Sequence, residues 1–165
     1  LNAFAARLYK QNQMFDEWPG ENYEGSSVLG CMQALKHFGF IGRYEWALDS
    51  RAVAVALNHR PVILGIDWYT AMFTPDTEGV IELAGVVEGG HAIAVGAQKN
   101  YGEWFRLDNT WGEDWGLKGS AWFHKDDVDT LLSTAHQGEA AVPHKVGELP
   151  ALAKLTVRKP SKLKK

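Results

Sequence analysis

Glu88-Gly89-Gly90-His91-Ala92-Ile93-Ala94-Val95-Gly96 and Asp108-Asn109-Thr110-Trp111-Gly112-Glu113-Asp114-Trp115-Gly116-Leu117-Lys118-Gly119 are the two stretches on which the fold turns. The first sets a histidine at the mouth of an apolar strand, directly after two glycines that permit close backbone approach or unusual dihedrals. A histidine so placed is either a base with one side in a cleft or an ordinary surface or capping residue. The second stretch carries two Trp-Gly pairs four residues apart and a further Gly three residues on, a spacing beyond generic loop composition. Taken alone it reads as an aromatic-rich hairpin turn that only packs, or as the surround of a polar contact. Asn109 ends a strand-like run that begins at Trp104. If that strand lies beside the one starting at His91, the Asn109 carbonyl can accept from an imidazole N–H and fix its tautomer, as a third group orients a catalytic base. Trp111 would then cover the hydrogen bond and keep water from competing for it.

Outward from these stretches, the first third of the chain reads as helix and the remainder as strand. Residues 3–15 carry Phe4, Leu8 and Phe15 among Ala and long polar residues, without Gly or Pro, which predicts an amphipathic helix stopped by Trp18-Pro19-Gly20. Ser26 or Ser27 can cap a second helix reaching Phe38, with Val28, Cys31, Leu35 and Phe38 on one face and Gly39 as its stop. Asp49 or Ser50 can cap a short helix through Leu57, and His59-Arg60-Pro61 breaks it. Strands are expected at 62–66, 80–83, 91–97, 104–107, 120–123 and, as a last one, 139–142. Helices first and strands second argue for segregated α+β layers.

The 165 residues suit one compact domain with appendages, and 45% hydrophobic, 12% aromatic and 22% charged residues exclude a disordered or low-complexity chain. No apolar run approaches the roughly 20 residues that span a bilayer, and no basic-then-apolar leader opens the sequence, so no membrane partner is expected. Residues 1–142 hold 10 Lys/Arg against 19 Asp/Glu, a net of −9, while residues 143–165 hold 7 against 1, a net of +6. The expected division is therefore an acidic body over 1–142 and a basic, Pro/Lys-rich tail over 143–165. The tail side chains Lys154, Arg158, Lys159, Lys162, Lys164 and Lys165 suit a solvated linker or docking to an acidic surface. Nucleic acid is the lesser alternative, since no aromatic residue accompanies them for base stacking.

Taken together, the Gly-His-Ala strand and the Asp-Asn-Thr-Trp-Gly…Trp-Gly…Gly turn resemble the papain-like cysteine peptidases, whose Asn-Ser-Trp-Gly pattern stands here as Asn109-Thr110-Trp111-Gly112. Pro61-Val62-Ile63-Leu64-Gly65-Ile66 is similar to the strand opening that family's β part, and Gly25-Ser26-Ser27 with the helix to Phe38 to its substrate loop and following helix. The resemblance covers about residues 20–142 and implies an α+β fold, a helical first part followed by an antiparallel β-sheet or barrel-like second part. It implies His91 as general base and Asn109 as its orienter, supported by Gly90, Trp111 and Trp115, with Trp115 flanking the leaving-group side. It implies substrate contacts at Gly25 and Ser26 through extended pairing, and at Gly65 and Ala92 as walls of a roomy pocket. The expected partner is a peptide or protein, with no cofactor. Segments around Asp16-Glu17-Trp18-Pro19-Gly20, Tyr23-Glu24-Gly25 and Arg43-Tyr44-Glu45-Trp46 resemble papain-like proteins of tailed bacteriophages, which implies a bacterial cytoplasm or a virion.

This chemistry needs a thiolate, and the sequence has one thiol, Cys31. The helical register puts Cys31 on an apolar face, where a free cysteine acts as a small hydrophobe, and the family's nucleophile lies well before the substrate loop. The expectation is a nucleophile upstream of Leu1. The alternative is a non-catalytic protein that keeps the scaffold for interaction, such as a structural or accessory component of a phage particle, and amide hydrolysis or acyl transfer other than peptide cleavage would use the same groups. Glu113-Asp114 and Asp126-Asp127 lack the spacing of a calcium loop or zinc helix and read as solvated charge, while His124, His136 and His144 form no ligand set, so no metal is expected.

Overall fold

Val62, Leu64, Ile66 and Trp68 are buried in strict alternation with Ile63, Gly65, Asp67 and Tyr69, and this period of two makes Val62–Tyr69 a strand with two different faces. The structure is a computed structural model that describes residues 2–16 and 25–147. The elements run α1 (Asn2–Phe15), α2 (Val28–His37), β1 (Arg43–Trp46), α3 (Ser50–Leu57), β2 (Val62–Tyr69), β3 (Val87–Lys99), β4 (Trp104–Asp108), β5 (Ser120–His124), α4 (Lys125–Leu131) and β6 (Glu139–His144). The six strands form one antiparallel sheet in the order β1-β6-β2-β3-β4-β5. It is the expected antiparallel sheet, open rather than closed into a barrel, with β1 and β5 at its edges.

The two faces of β2 serve two cores. Its Val62, Leu64, Ile66 and Trp68 join Val53 of α3, Val128 and Leu131 of α4, and the inward residues of β3, β4 and β5. Ile63, on the opposite face, packs with Val28, Met32, Cys31 and Leu35 of α2, together with Ile41, Tyr44 and Ala141. Asp49 caps α3 by accepting from Ala52 N, and Ser27 caps α2 by accepting from Gly30 N. Asp129 of α4 accepts from both the backbone N–H and the hydroxyl of Ser50, at 2.6 and 2.9 Å, tying the two helices of the larger core together.

Several expectations change. Val80–Leu83 makes a single bridge to Trp122 rather than a strand, because the Asp76 turn before it and Gly85 at φ +92 after it leave too short an extended run. Arg43–Trp46, not expected as a strand, pairs with β6, and that pairing carries β6 through Pro143 and His144, two residues past the 142 boundary. Asp126 and Asp127 open α4, where carboxylates favour a helix N-terminus, and burial raises the Asp127 pKa. On α2 the buried positions are Val28, Gly30, Met32 and Ala34; Gly30 faces α1, where an added Cβ would lie 2.8 Å from the Asn12 carbonyl. Phe4 of α1 is exposed, and Asn12 is the buried residue of that helix. Trp18-Pro19-Gly20, Tyr23-Glu24 and the basic side chains Lys154 to Lys165 lie outside the described residues.

Two outcomes follow from this packing. An added Cβ at Gly65 would collide with a methyl of Val28, a side chain stiff at χ1. Gly65→Ala should lower stability in urea by about 1–3 kcal/mol, and the same substitution in a Val28→Ala background should be close to neutral; equal losses in both backgrounds would show that Val28 is not the obstacle. The second concerns His144, which is 4% exposed, with Nδ1 at 2.9 Å from an Arg43 guanidinium nitrogen and Nε2 at 3.1 Å from Glu45 Oε2. Arg43 can only donate, so Nδ1 accepts, Nε2–H donates to Glu45, and the ring is neutral. Burial first, then the Arg60 and Arg43 charges, lower its pKa against the opposing pull of Glu45. A lowered folded-state pKa gives stability that is present above the unfolded histidine value and lost as pH falls through the folded one. The stability advantage of the wild type over His144→Gln should therefore shrink between about pH 7.5 and about pH 5; a constant difference would remove His144 as its source.

Candidate active site

His91 stands on the core face of β3, in line with Ile93 and Val95, and opposite Ile66 of β2. β3 is longer than expected: it starts at Val87, so Gly89 and Gly90 belong to the strand, and a Cβ at either would meet nothing within 4 Å. β4 runs antiparallel to β3 with Asp108 against Ala94, which brings the residue after β4, Asn109, beside His91. The two side chains meet, His91 Nε2 lying 3.2 Å from Asn109 Oδ1.

The backbone decides which way that bond runs. Thr110 N–H donates to Asn109 Oδ1 at 2.8 Å, so this amide atom is the oxygen. His91 Nε2 must then carry the proton and donate, leaving the Nδ1 lone pair as the basic atom. Burial lowers the His91 pKa, and the Asn109 bond opposes that shift, so the imidazole is neutral at neutral pH and ready to take a proton at Nδ1.

The turn after Asn109 is built to hold an indole over this pair. Asn109 N–H donates to Gly119 O at 2.8 Å, Gly119 N–H to Trp115 O at 2.8 Å, and Leu117 N–H to Ser120 O at 2.7 Å. Gly112 and Gly116 take positive φ of +100° and +54°, and at Gly116 a side chain would also run into Ser120 O. Trp111, 41% exposed, lies with its ring centroid 4.8 Å from that of His91. Trp115 is only 7% exposed and sits behind Trp111 at 5.8 Å, so it supports the shield from within the core, where a flanking position on the leaving-group side was expected. Two further aromatics complete the surround and were not singled out from sequence. Trp68 of β2 meets His91 at 4.7 Å, and Phe73, from the 3-10 turn Thr70–Phe73, stacks on Trp111 at 5.2 Å with an interplanar angle of 4°.

The expected substrate-contacting residues fall in two groups. Gly65 and Ala92 are direct partners across β2 and β3, one residue away from the Ile66–His91 pair. Ala92 is exposed, whereas the space over Gly65 is filled by Val28, so its smallness serves the packing of α2 on the sheet instead of opening a roomy pocket. Gly25 and Ser26 precede α2 and are held to α1: Gly25 O accepts from Gln13 Nε2 at 3.3 Å and Ser26 Oγ donates to Asp16 Oδ2 at 3.0 Å. Cys31 lies in α2 within the smaller core; burial raises its thiol pKa, opposed by a hydrogen bond from the Asn12 side chain.

No protein-family model matches the sequence, and no curated protein sequence does. Solved structures do match. The chain is similar to the bromelain protease from Ananas comosus, with a TM-score of 0.58 and 12% identity over 82% of this chain and 76% of that one. It is similar also to xylellain, a cysteine protease from Xylella fastidiosa, with a TM-score of 0.54 and 23% identity over 64% of this chain. The chain has the papain-like cysteine protease fold. It spans 41% of the xylellain chain. Within this papain-like fold, the helix α2 lies on one face of the sheet, while His91 and Asn109 gather at the end of β3 and β4 on the other.

The Asn109 bond has a measurable sign. Because it favours the protonated ring, Asn109→Ala should lower the His91 titration midpoint further, and Asn109→Asp, which sets a carboxylate at the same distance, should raise it. Histidine-resolved NMR titration reads both, and shifts in the same direction would contradict the assigned bond.

Proposed function

We propose that the protein is a papain-like cysteine peptidase in which His91 serves a thiol contributed from upstream of Leu1, with Asn109 orienting the ring and Trp111 shielding the contact. The observation that carries this reading is the Asn109 Oδ1 contact, which accepts from both Thr110 N–H and His91 Nε2 and leaves Nδ1 free as a base. In the reaction, Nδ1 takes the thiol proton and the thiolate attacks the scissile carbonyl carbon. Nδ1–H then protonates the departing amine as the C–N bond breaks, leaving a thioester. Water, deprotonated by the same Nδ1, attacks the thioester; its proton returns the thiol and releases the acid. The substrate would be an extended peptide lying along Gly25 and Ser26 on one side and Ala92 on the other.

Cys31 does not fit the nucleophile's part. A catalytic thiol is found with a lowered pKa in an electropositive setting, whereas burial raises that of Cys31, which packs among apolar side chains of α2. The same fact favours a second reading, a non-catalytic protein that uses the scaffold for interaction, for which the phage-like segments suggest a virion or accessory role.

Treating the full-length native protein with a thiol-reactive peptidyl epoxide and mapping adducts by mass spectrometry separates the two. The peptidase reading expects an adduct on a cysteine other than Cys31, its formation slowed at least about tenfold by His91→Ala. Cys31→Ala should leave labelling and turnover nearly unchanged. No adduct on the native protein would favour the scaffold reading, and loss of turnover in folded Cys31→Ala would overturn the assignment of Cys31 to packing.

A further inference from the structure

Among the described residues Trp68 is the largest fully buried side chain, 2% exposed, yet it is in ring contact with the imidazole of His91. It lies at the end of β2, on the same face as Ile66, and its direct partner across the strands is Gly89. Gly89 has no side chain, so the neighbour available to the indole on β3 is the diagonal one, His91, within the reach of an aromatic residue. The indole meets the imidazole at 4.7 Å and an interplanar angle of 69°. It also touches Trp111 at 5.3 Å, Trp115 at 6.2 Å and Phe73 at 6.3 Å. His91, Trp68 and Trp111 therefore form a triangle of mutually touching rings: the imidazole, a buried indole from β2 and a half-exposed one from the turn after β4.

These contacts constrain the ring in a way that the Asn109 bond alone does not. One hydrogen bond to Nε2 fixes the position of one atom and leaves rotation about the bond axis free. Two aromatic contacts from different elements, one edge-on from Trp68 and one tilted from Trp111, restrict that rotation and limit the access of water to the ring. A ring turned off Asn109, with water accepting from Nδ1–H, would adopt the alternative tautomer, with the proton on Nδ1 and no lone pair there to act as base. The depressed affinity of His91 for a proton has burial as its larger cause, and Trp68 is a buried contributor to that surround.

We propose that Trp68 is a positioning residue for His91, holding the imidazole against Trp111 so that Nε2 stays on Asn109 and Nδ1 stays bare. What the held ring does rests on the peptidase reading; that it is held does not, and the test needs no turnover. Nitrogen-15 shifts of the histidine ring in the 165-residue chain report the tautomer and the titration midpoint of His91. In the wild type the expected form is a single Nε2–H tautomer. In Trp68→Leu the expected result is a mixture of tautomers and a midpoint raised toward the ordinary imidazole value. Trp68→Phe, which keeps a ring, should move both readouts less and in the same direction. Phe123→Leu, a truncation of an equally buried core residue on β5, should lower stability without moving either. A folded Trp68→Leu or Trp68→Phe chain with the wild-type tautomer and midpoint would overturn the proposal, as would an equal shift in Phe123→Leu. A wild-type ring with its proton on Nδ1 would instead contradict the His91–Asn109 geometry and, with it, the peptidase reading.

Discussion

The antiparallel pairing of β2 with β3 is the constraint on which the rest of this molecule hangs. Its register sets Ile66 against His91 and Gly65 against Ala92, and a slip of one residue would move every side chain to the opposite face. One face of β2 would then offer Asp67 and Tyr69 to the core, and the imidazole would leave its aromatic surround. The register is held from both sides. Val62, Leu64, Ile66 and Trp68 require the larger core, and Gly65 admits Val28 of α2 at a position where no other residue of the strand would fit.

The strand and the turn that carry His91 and Asn109 were legible in the sequence because their signals are local. His91 after paired glycines and Asn109 before Thr110-Trp111-Gly112 mark a strand and a turn, although the strand starts at Val87 rather than at His91, and the helix caps Ser27 and Asp49 are single-residue signals that the structure retains. Less was legible where the determinant is a partner distant in sequence. Arg43–Trp46 is a strand because β6 lies beside it, about a hundred residues away in sequence, and α4 is a helix whose acidic first turn looked like mere solvated charge. Trp68 was missed for a related reason. Asp67 interrupts the apolar run that begins at Val62, although the period of two, continued past it, places the indole in the core. Phe73 carried no periodic signal, since it comes from a 3-10 turn between strands.

The surround of His91 shows how little of such a site needs to be polar. One side-chain hydrogen bond holds Nε2 of the imidazole, and the ring contacts around it come from Trp68 and Trp111, with Phe73 and Trp115 behind them. An apolar surround strengthens the one polar contact it encloses, because competing water is removed and the local dielectric falls. The papain-like fold supplies the two strand ends that bring the histidine and asparagine together, and the turn after β4 supplies the cover. Activity is a separate matter from this scaffold, since a fold positions groups without guaranteeing that all of them are present.

Thr110 offers a last point about how such motifs vary. It serves the site through its backbone, by the N–H that pins Asn109 Oδ1. Its side chain is incidental to that duty, so the exchange of serine for threonine in an Asn-Ser-Trp-Gly pattern is silent with respect to the His91–Asn109 contact. What the position forbids is an imino acid: proline alone lacks the donor. The requirement there falls on a main-chain atom that every other residue shares, so a strict demand for one donor places no demand on the side chain that stands beside it.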